Sequence, residues 1–167
     1  AAKNSVVSIR SNLGVGSGVI LSEDGVIATS MHVLDGVSEV VIESASGKDF
    51  HDFGVVDFDH ETDLILIKVK AENLPRATLG DSERVRIGEE VFAIGAPRSY
   101  KQTVSKGIVS AIRTVGGESL LQVDAAMSPG SSGGGLFNLA GQLIGISSAG
   151  DASGESLNFA TPINKLR

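Results

Sequence analysis

The chain has 167 residues, enough for one domain with a sizeable core. Its formal net charge is -6 and it has no run of Lys or Arg, which argues against a nucleic-acid-binding role; it also has no cysteine, which excludes a disulfide scaffold, a thiol nucleophile and a Cys-type zinc site. No apolar run approaches the roughly 18 residues that would span a membrane, and Ala1-Ala2-Lys3 has no apolar stretch behind it to make a signal peptide.

Short segments rich in Val and Ile recur along the chain: Val6–Arg10, Gly18–Leu21, Val26–Thr29, Val40–Glu43, Asp63–Val69, Val91–Ile94, Val104–Ile112, Leu120–Val123, Gln142–Ser147 and Leu157–Ala160. Turn formers such as Glu23-Asp24-Gly25, Ser46-Gly47-Lys48 and Gly116-Gly117-Glu118 separate them. Short strands at this spacing predict an all-β sandwich or barrel. The 21 glycines fit the many turns and bulges such a fold needs. With 6 Phe, 1 Tyr and no Trp, the core must come from aliphatic side chains. A short helical turn is predicted at Met31–Asp35 and a helix start with Pro162 at its first position near the C-terminus, where the natural protein is expected to continue. The polar stretch Ala77–Glu90 reads as a hinge between two β halves.

The segment Ser128-Pro129-Gly130-Ser131-Ser132-Gly133-Gly134-Gly135 suits a sharp turn with outward N–H groups, able to hold a serine hydroxyl beside an oxyanion site. Read alone, it is equally a Ser/Gly-rich loop. Gly130-x-Ser132-x-Gly134 also matches the nucleophile elbow of α/β-hydrolases, but those enzymes place their histidine after the serine, and here His32, His51 and His60 all precede it. The order His, Asp, Ser is the chymotrypsin order. A serine nucleophile needs a general base and the base an orienting carboxylate. His32 follows an apolar strand and Asp63 stands at the mouth of the most hydrophobic one, so these two supply both parts. Each alone has a bland reading, as a structural histidine or as the start of a strand.

Taken together, the segments resemble the HtrA/Deg branch of trypsin-like serine proteases. The resemblance rests on Gly16-Ser17-Gly18-Val19-Ile20, the His32 segment, Thr62-Asp63-Leu64-Ile65-Leu66-Ile67, Ala93-Ile94-Gly95-Ala96-Pro97, Thr103 to Ser110, Gln122-Val123-Asp124-Ala125-Ala126, the Ser132 loop, Gly141 to Ile146 and Asn158 to Ile163. These occur in family order over nearly the whole chain. The resemblance implies one protease domain over residues 1–167, made of two perpendicular six-stranded β-barrels (about 5–80 and 85–163) with no PDZ domain in this stretch. It implies His32, Asp63 and Ser132 as the triad, the Gly130-Ser131-Ser132 backbone as the oxyanion hole, Ala126 and Met127 in the S1 pocket, and Ser147-Ser148-Ala149 as the strand that pairs with substrate. It further implies a serine endopeptidase acting on unfolded or misfolded protein outside the cytoplasm, as in the bacterial periplasm. Small or medium aliphatic P1 residues are expected, with no metal or cofactor and no nucleic-acid partner. A peptide-binding or chaperone-like module on the same fold is the competing function class.

Some residues depart from the family pattern. Ser131 replaces the usual Asn, and Gly135 stands where Pro or Ala is common, which predicts an adaptable oxyanion loop. The loop at Asn12–Gly16 is short, and no aromatic precedes Phe50 to make the N-terminal contacts of family trimers. Asp57-Phe58-Asp59-His60-Glu61-Thr62-Asp63 faintly resembles a calcium loop and, with His51, a metal site, but it lacks the glycine and final glutamate of the calcium loop and is expected to be a solvated turn.

Overall fold

The computed structural model describes residues 2–98, 101–115, 117–127, 129–148 and 158–166. Two β units follow one another along the chain. The first contains β1 (Val6–Ser11), β2 (Gly14–Ile20), β3 (Val26–Ser30), β4 (Val40–Glu43), β5 (Asp49–Phe50), β6 (Gly54–Asp59) and β7 (Leu64–Lys68), with the short helix α1 (Met31–Leu34) between β3 and β4. The second contains β8 (Thr78–Leu79), β9 (Glu90–Arg98), β10 (Lys101–Val115), β11 (Glu118–Val123), β12 (Gly135–Asn138), β13 (Gln142–Ser147) and β14 (Asn158–Pro162). A 3-10 turn at Ile163–Leu166 follows β14, so the C-terminal helix start is realised as 3-10 geometry after Pro162 rather than as an α-turn opened by it.

In the second unit the strands run β12-β9-β10-β11-β14-β13, and a β12–β13 pairing closes them into a six-stranded barrel. The first unit is a seven-stranded sheet in the order β5-β4-β1-β2-β3-β7-β6, curled as a half-barrel whose end strands β5 and β6 do not pair among the described residues. The second unit is the six-stranded barrel that the resemblance implies, and the first is more open than a complete six-stranded barrel. β8 lies inside the expected hinge and pairs in parallel with the start of β13. The hinge also carries a 3-10 turn, Ser82–Arg84, capped by the Asp81 carboxylate, which accepts from Glu83 N at 3.0 Å.

Aliphatic side chains build the core, as composition requires; Phe137 is the one aromatic among the large, fully buried side chains. One cluster fills the first unit around Ile9, Ile27, Ile42 and Ile67, and another fills the second around Val91, Val109, Leu136 and Ile144. A third joins Val6, Val19, Ala28 and Leu64 of the first unit to Ile94, Phe137, Ile146 and Ile163 of the second. At roughly 25 cal/mol per Å² of apolar surface removed from water, this shared cluster fixes the two units against one another. β3 and the Ser132 loop therefore hold a defined relation.

Two expectations need correction. Asp63 does not begin a strand: its φ is +58°, and β7 starts at Leu64. Asp57 and Asp59 are not in a solvated turn but on β6, whose six residues are all exposed. The strands β5, β8 and β12 were also not anticipated; the first two are only two residues long, and β12 follows directly on the glycine run.

Candidate active site

Asp63 sits at the turn between β6 and β7. An L-residue in the left-handed region is strained by roughly 1–2 kcal/mol, least for Asn and Asp. The conformation points both the carbonyl and the carboxylate of Asp63 at the start of α1. Met31 N donates to Asp63 O at 2.8 Å, His32 N donates to Asp63 Oδ1 at 3.2 Å, and His32 Nδ1 bonds Asp63 Oδ2 at 2.5 Å. One residue thus anchors the helix start and orients the ring carried by it. Ser30, in the N-cap position, makes no side-chain cap bond; its Oγ donates instead to Ser147 O at 3.2 Å. With Nδ1 committed to the carboxylate, Nε2 is left as the basic nitrogen of a neutral ring.

The hydrogen bond to Asp63 raises the His32 pKa above its ordinary 6.5, with partial burial opposing and the carboxylate's charge assisting. The folded state therefore favours the imidazolium. The stability this pair contributes is fully present below the unfolded value and is lost as pH rises through the raised folded value. Ring-proton NMR should show His32 titrating above 6.5, and Asp63→Asn should bring the midpoint down. An unchanged midpoint would show that Asp63 does not set the protonation of this ring.

Ser132 is reached from the second unit but held by the first. The segment Pro129–Ser131 forms a single 3-10 turn, and Ser132, 4% exposed, follows it. Ser17 on β2 clamps this loop. Its N–H donates to Ser132 O at 2.8 Å, its Oγ donates to Gly130 O at 2.9 Å, and the same Oγ accepts from Ala96 N at 2.8 Å. Ser17 O in turn accepts from Thr29 Oγ1 at 2.7 Å, three residues before His32. A fully buried serine with both polar ends engaged links β3, β9 and the Ser132 loop. Sequence reasoning quoted Ser17 only as part of a Gly-Ser-Gly motif; the glycines around it were the available signal.

Gly133 shows how tight that contact is. Its φ is +87°, and a Cβ there would lie 2.1 Å from Ser17 O and 2.2 Å from Thr29 Oγ1. Gly133→Ala should cost roughly 2–5 kcal/mol, from left-handed strain plus overpacking against backbone. Urea unfolding measures this; a change under 1 kcal/mol would mean that the loop relaxes freely.

A cavity of about 280 Å³ opens beside Ser131, between β9, β10 and the segment after β11. Ala126, Met127 and Ser147 line it together with Gly95, Thr103, Val104 and Ser105. Ser105 Oγ donates to Ala126 O at 2.6 Å and Asn158 Nδ2 to Ala125 O at 2.9 Å, which fixes the wall carrying Met127. No lining residue is charged. Ser148 directly follows β13 and its Oγ donates to Phe159 O at 3.2 Å, and Ala149 falls outside the described residues. The structure joins His32 to Asp63, but among the described residues no hydrogen bond joins Ser132 Oγ to His32. Such a bond is often long before substrate is bound. His51, Asp57, Asp59 and His60 do not gather: no three potential metal ligands come together among the described residues.

Residues 16–146 match the family described as the trypsin-like peptidase domain. The chain belongs to the trypsin-like peptidase family. The matched stretch takes in Ser17, His32, Asp63 and Ser132 alike. Within that family, this peptidase domain is similar to HtrA/Deg-type members. It is 43% identical over 159 residues to a probable periplasmic serine endoprotease DegP-like of Halomonas elongata, covering 90% of this chain and 33% of that protein. It is 38% identical over 161 residues to the serine endoprotease DegS of Haemophilus influenzae (90% and 47%), and 40% identical over 161 residues to the serine protease HTRA1 of Xenopus laevis (91% and 34%). The solved structure of the HtrA-type protease AlgW with a tripeptide superposes with a TM-score of 0.89 at 36% identity, over 98% of this chain and 57% of that one. The peptidase domain thus spans about a third to a half of the length of these curated relatives.

Proposed function

We propose that this chain is the catalytic domain of an HtrA/Deg-type serine endopeptidase, with Ser132 as nucleophile, His32 as general base and Asp63 as the group that orients it. The observation that carries the reading is the bidentate hold of Asp63 on His32, through backbone N and ring Nδ1, beside a serine loop clamped to β2 and β3 by Ser17. A half-buried, strained aspartate turn aimed at one histidine has a use in proton transfer that a simple binding module does not need.

In the proposed cycle Ser132 Oγ attacks the scissile carbonyl carbon and its proton passes to His32 Nε2. The imidazolium is stabilised by Asp63, which stays ionised. The oxyanion of the tetrahedral intermediate accepts from the Gly130 and Ser132 N–H groups, with the Ser131 backbone setting their spacing. This is commonly worth a few kcal/mol in the transition state. The backbone that carries these groups is the 3-10 turn at Pro129–Ser131 and the residue after it. The C–N bond then breaks, the Nε2 proton goes to the departing amine, and water hydrolyses the acyl-enzyme with His32 again as base.

The uncharged cavity bounded by Ala126 and Met127 suits a small or medium aliphatic P1 side chain, and we assign to the stretch Ser147-Ser148-Ala149 the pairing with an extended substrate. Unfolded or misfolded protein is the substrate class this favours. The relatives named periplasmic support a place outside the cytoplasm, and the family leads us to expect a PDZ domain elsewhere in the full-length protein. No helix among the described residues is long and apolar enough to cross a membrane.

The test is to incubate the domain with casein and map the cuts by mass spectrometry. Cuts following Ala, Val, Ile or Leu are expected. Cuts mostly after Lys or Arg would overturn the pocket assignment and leave the triad standing. No cutting at all would turn the reading toward a peptide-binding module.

A further inference from the structure

A second groove, of about 440 Å³, lies between β6 and the C-terminal 3-10 turn. β6 ends its sheet: one edge pairs with β7, and no strand covers the other among the described residues. Along it Val55, Val56 and Phe58 are each more than half exposed, an unusual display of apolar surface on an unpaired edge. Asp57 sits opposite Leu66 and Asp59 opposite Leu64, so both carboxylates share the face of β7 that carries those leucines. The groove therefore has an apolar floor of Leu64, Leu66 and Leu166 under a rim of Asp57 and Asp59. The Lys165 ammonium on the far wall is already bound to the Glu118 carboxylate, while Asp59 and Glu61 are near enough to act on its charge.

Thr62 makes this more than a cluster of acids. It lines the groove and is 8% exposed, yet its Oγ1 has no hydrogen-bond partner among the described residues. A buried hydroxyl is rarely left unpaired. Only its backbone carbonyl is used, accepting from Thr161 Oγ1 at 3.3 Å. An orphaned hydroxyl and two carboxylates over a leucine floor match a long cationic side chain, whose methylene stem lies on apolar surface while its head reaches anions.

We propose that the free edge of β6 and this groove form a docking site for an extended basic segment of a partner protein. The segment adds as a strand to β6, sets aliphatic side chains against Val55 and Phe58, and lays one Lys or Arg side chain into the groove, where it meets Asp57 and Asp59 while the Thr62 side chain turns its buried Oγ1 toward the same head group. Main-chain pairing supplies affinity and the acidic rim selects the partner. A second copy of this chain is a poor occupant, because pairing β6 with β6 would bring Asp57, Asp59 and Glu61 against their own counterparts. The site uses no triad residue and stands whether or not Ser132 proves to be a nucleophile.

The test uses Ser132→Ala protein, so that the probe is not consumed, and a blocked octapeptide of alternating Val and Arg. Fluorescence anisotropy should give saturable binding, and backbone NMR should show shifts at Gly54–Asp59 and Thr62. Asp57→Asn with Asp59→Asn should weaken binding at least tenfold, Thr62→Val several-fold, and N-methylation of alternate peptide amides about as much as the double variant, with thermal melts showing each protein folded. No binding would overturn the proposal, as would equal binding by the double variant or by the N-methylated peptide. So would shifts confined to the Ser132 cleft, or concentration-dependent association through β6 without peptide.

Discussion

Ser132→Ala is expected to end casein cleavage, lowering kcat by about 10⁴–10⁶-fold, the range seen when a triad nucleophile is removed. The fold should survive. The hydroxyl makes no hydrogen bond to any described residue, while the contacts that hold the loop run through the backbone of residue 132 and through Ser17: Ser17 N to Ser132 O and Ser17 Oγ to Gly130 O. Removing one unbonded oxygen leaves all of them in place, so thermal unfolding should move by no more than a few degrees. Cleavage at more than a hundredth of the parent rate by Ser132→Ala would assign the nucleophile elsewhere. The contrast with Ser17→Ala is informative. That change deletes a buried donor to Gly130 O and a buried acceptor for Ala96 N, so it should lower stability and activity together, whereas Ser132→Ala separates them.

What the sequence made legible, and what it hid, follows the range of the interactions involved. His32 and Ser132 each sit where an apolar run meets a turn, and the order His, Asp, Ser narrows the chemistry before any coordinate is known. The aliphatic core follows from composition. The conformation of Asp63 does not, because an aspartate before a hydrophobic run looks the same whether it enters the strand or turns left-handed ahead of it. β6 is hidden for a related reason. All six of its residues are exposed, so no buried face imposes the period-two pattern by which a strand is recognised. Ser17 is hidden because serine between glycines reads as loop, and its role exists only once β2, β9 and the Ser132 loop meet. The far wall of the apolar cavity, Thr103 to Ser105, is brought to Ala126 by the antiparallel pairing of β10 with β11, whose register shifts between Val109 and Ala111, so the sequence does not show which residues about twenty apart meet.

Asp63→Asn should reduce kcat by about 10⁴-fold while leaving the protein folded, and the reason lies in which of its contacts an amide can keep. Asparagine tolerates the left-handed φ of +58° nearly as well as aspartate, and its side-chain oxygen can still accept from His32 N, so the turn and the start of α1 should persist. At the ring the amide presents either an NH₂, which can only donate, or an uncharged oxygen. In the first case Nδ1 must become the acceptor and the proton moves to Nε2, the nitrogen needed as base. In the second the tautomer is right, but the imidazolium loses its counter-charge and the NH₂ faces His32 N, which loses its acceptor, so keeping the cap favours the first orientation. Both outcomes remove the influence that raises the His32 pKa. The acidic limb of kcat/KM, which reports loss of the neutral base, should therefore move to lower pH in Asp63→Asn even as the plateau falls. Asp63→Ala separates position from charge: it should lose the same activity and also stability, since His32 N loses its side-chain acceptor and alanine takes the left-handed conformation poorly. Asp63→Asn activity within tenfold of the parent would mean that the ring is oriented by something other than this carboxylate.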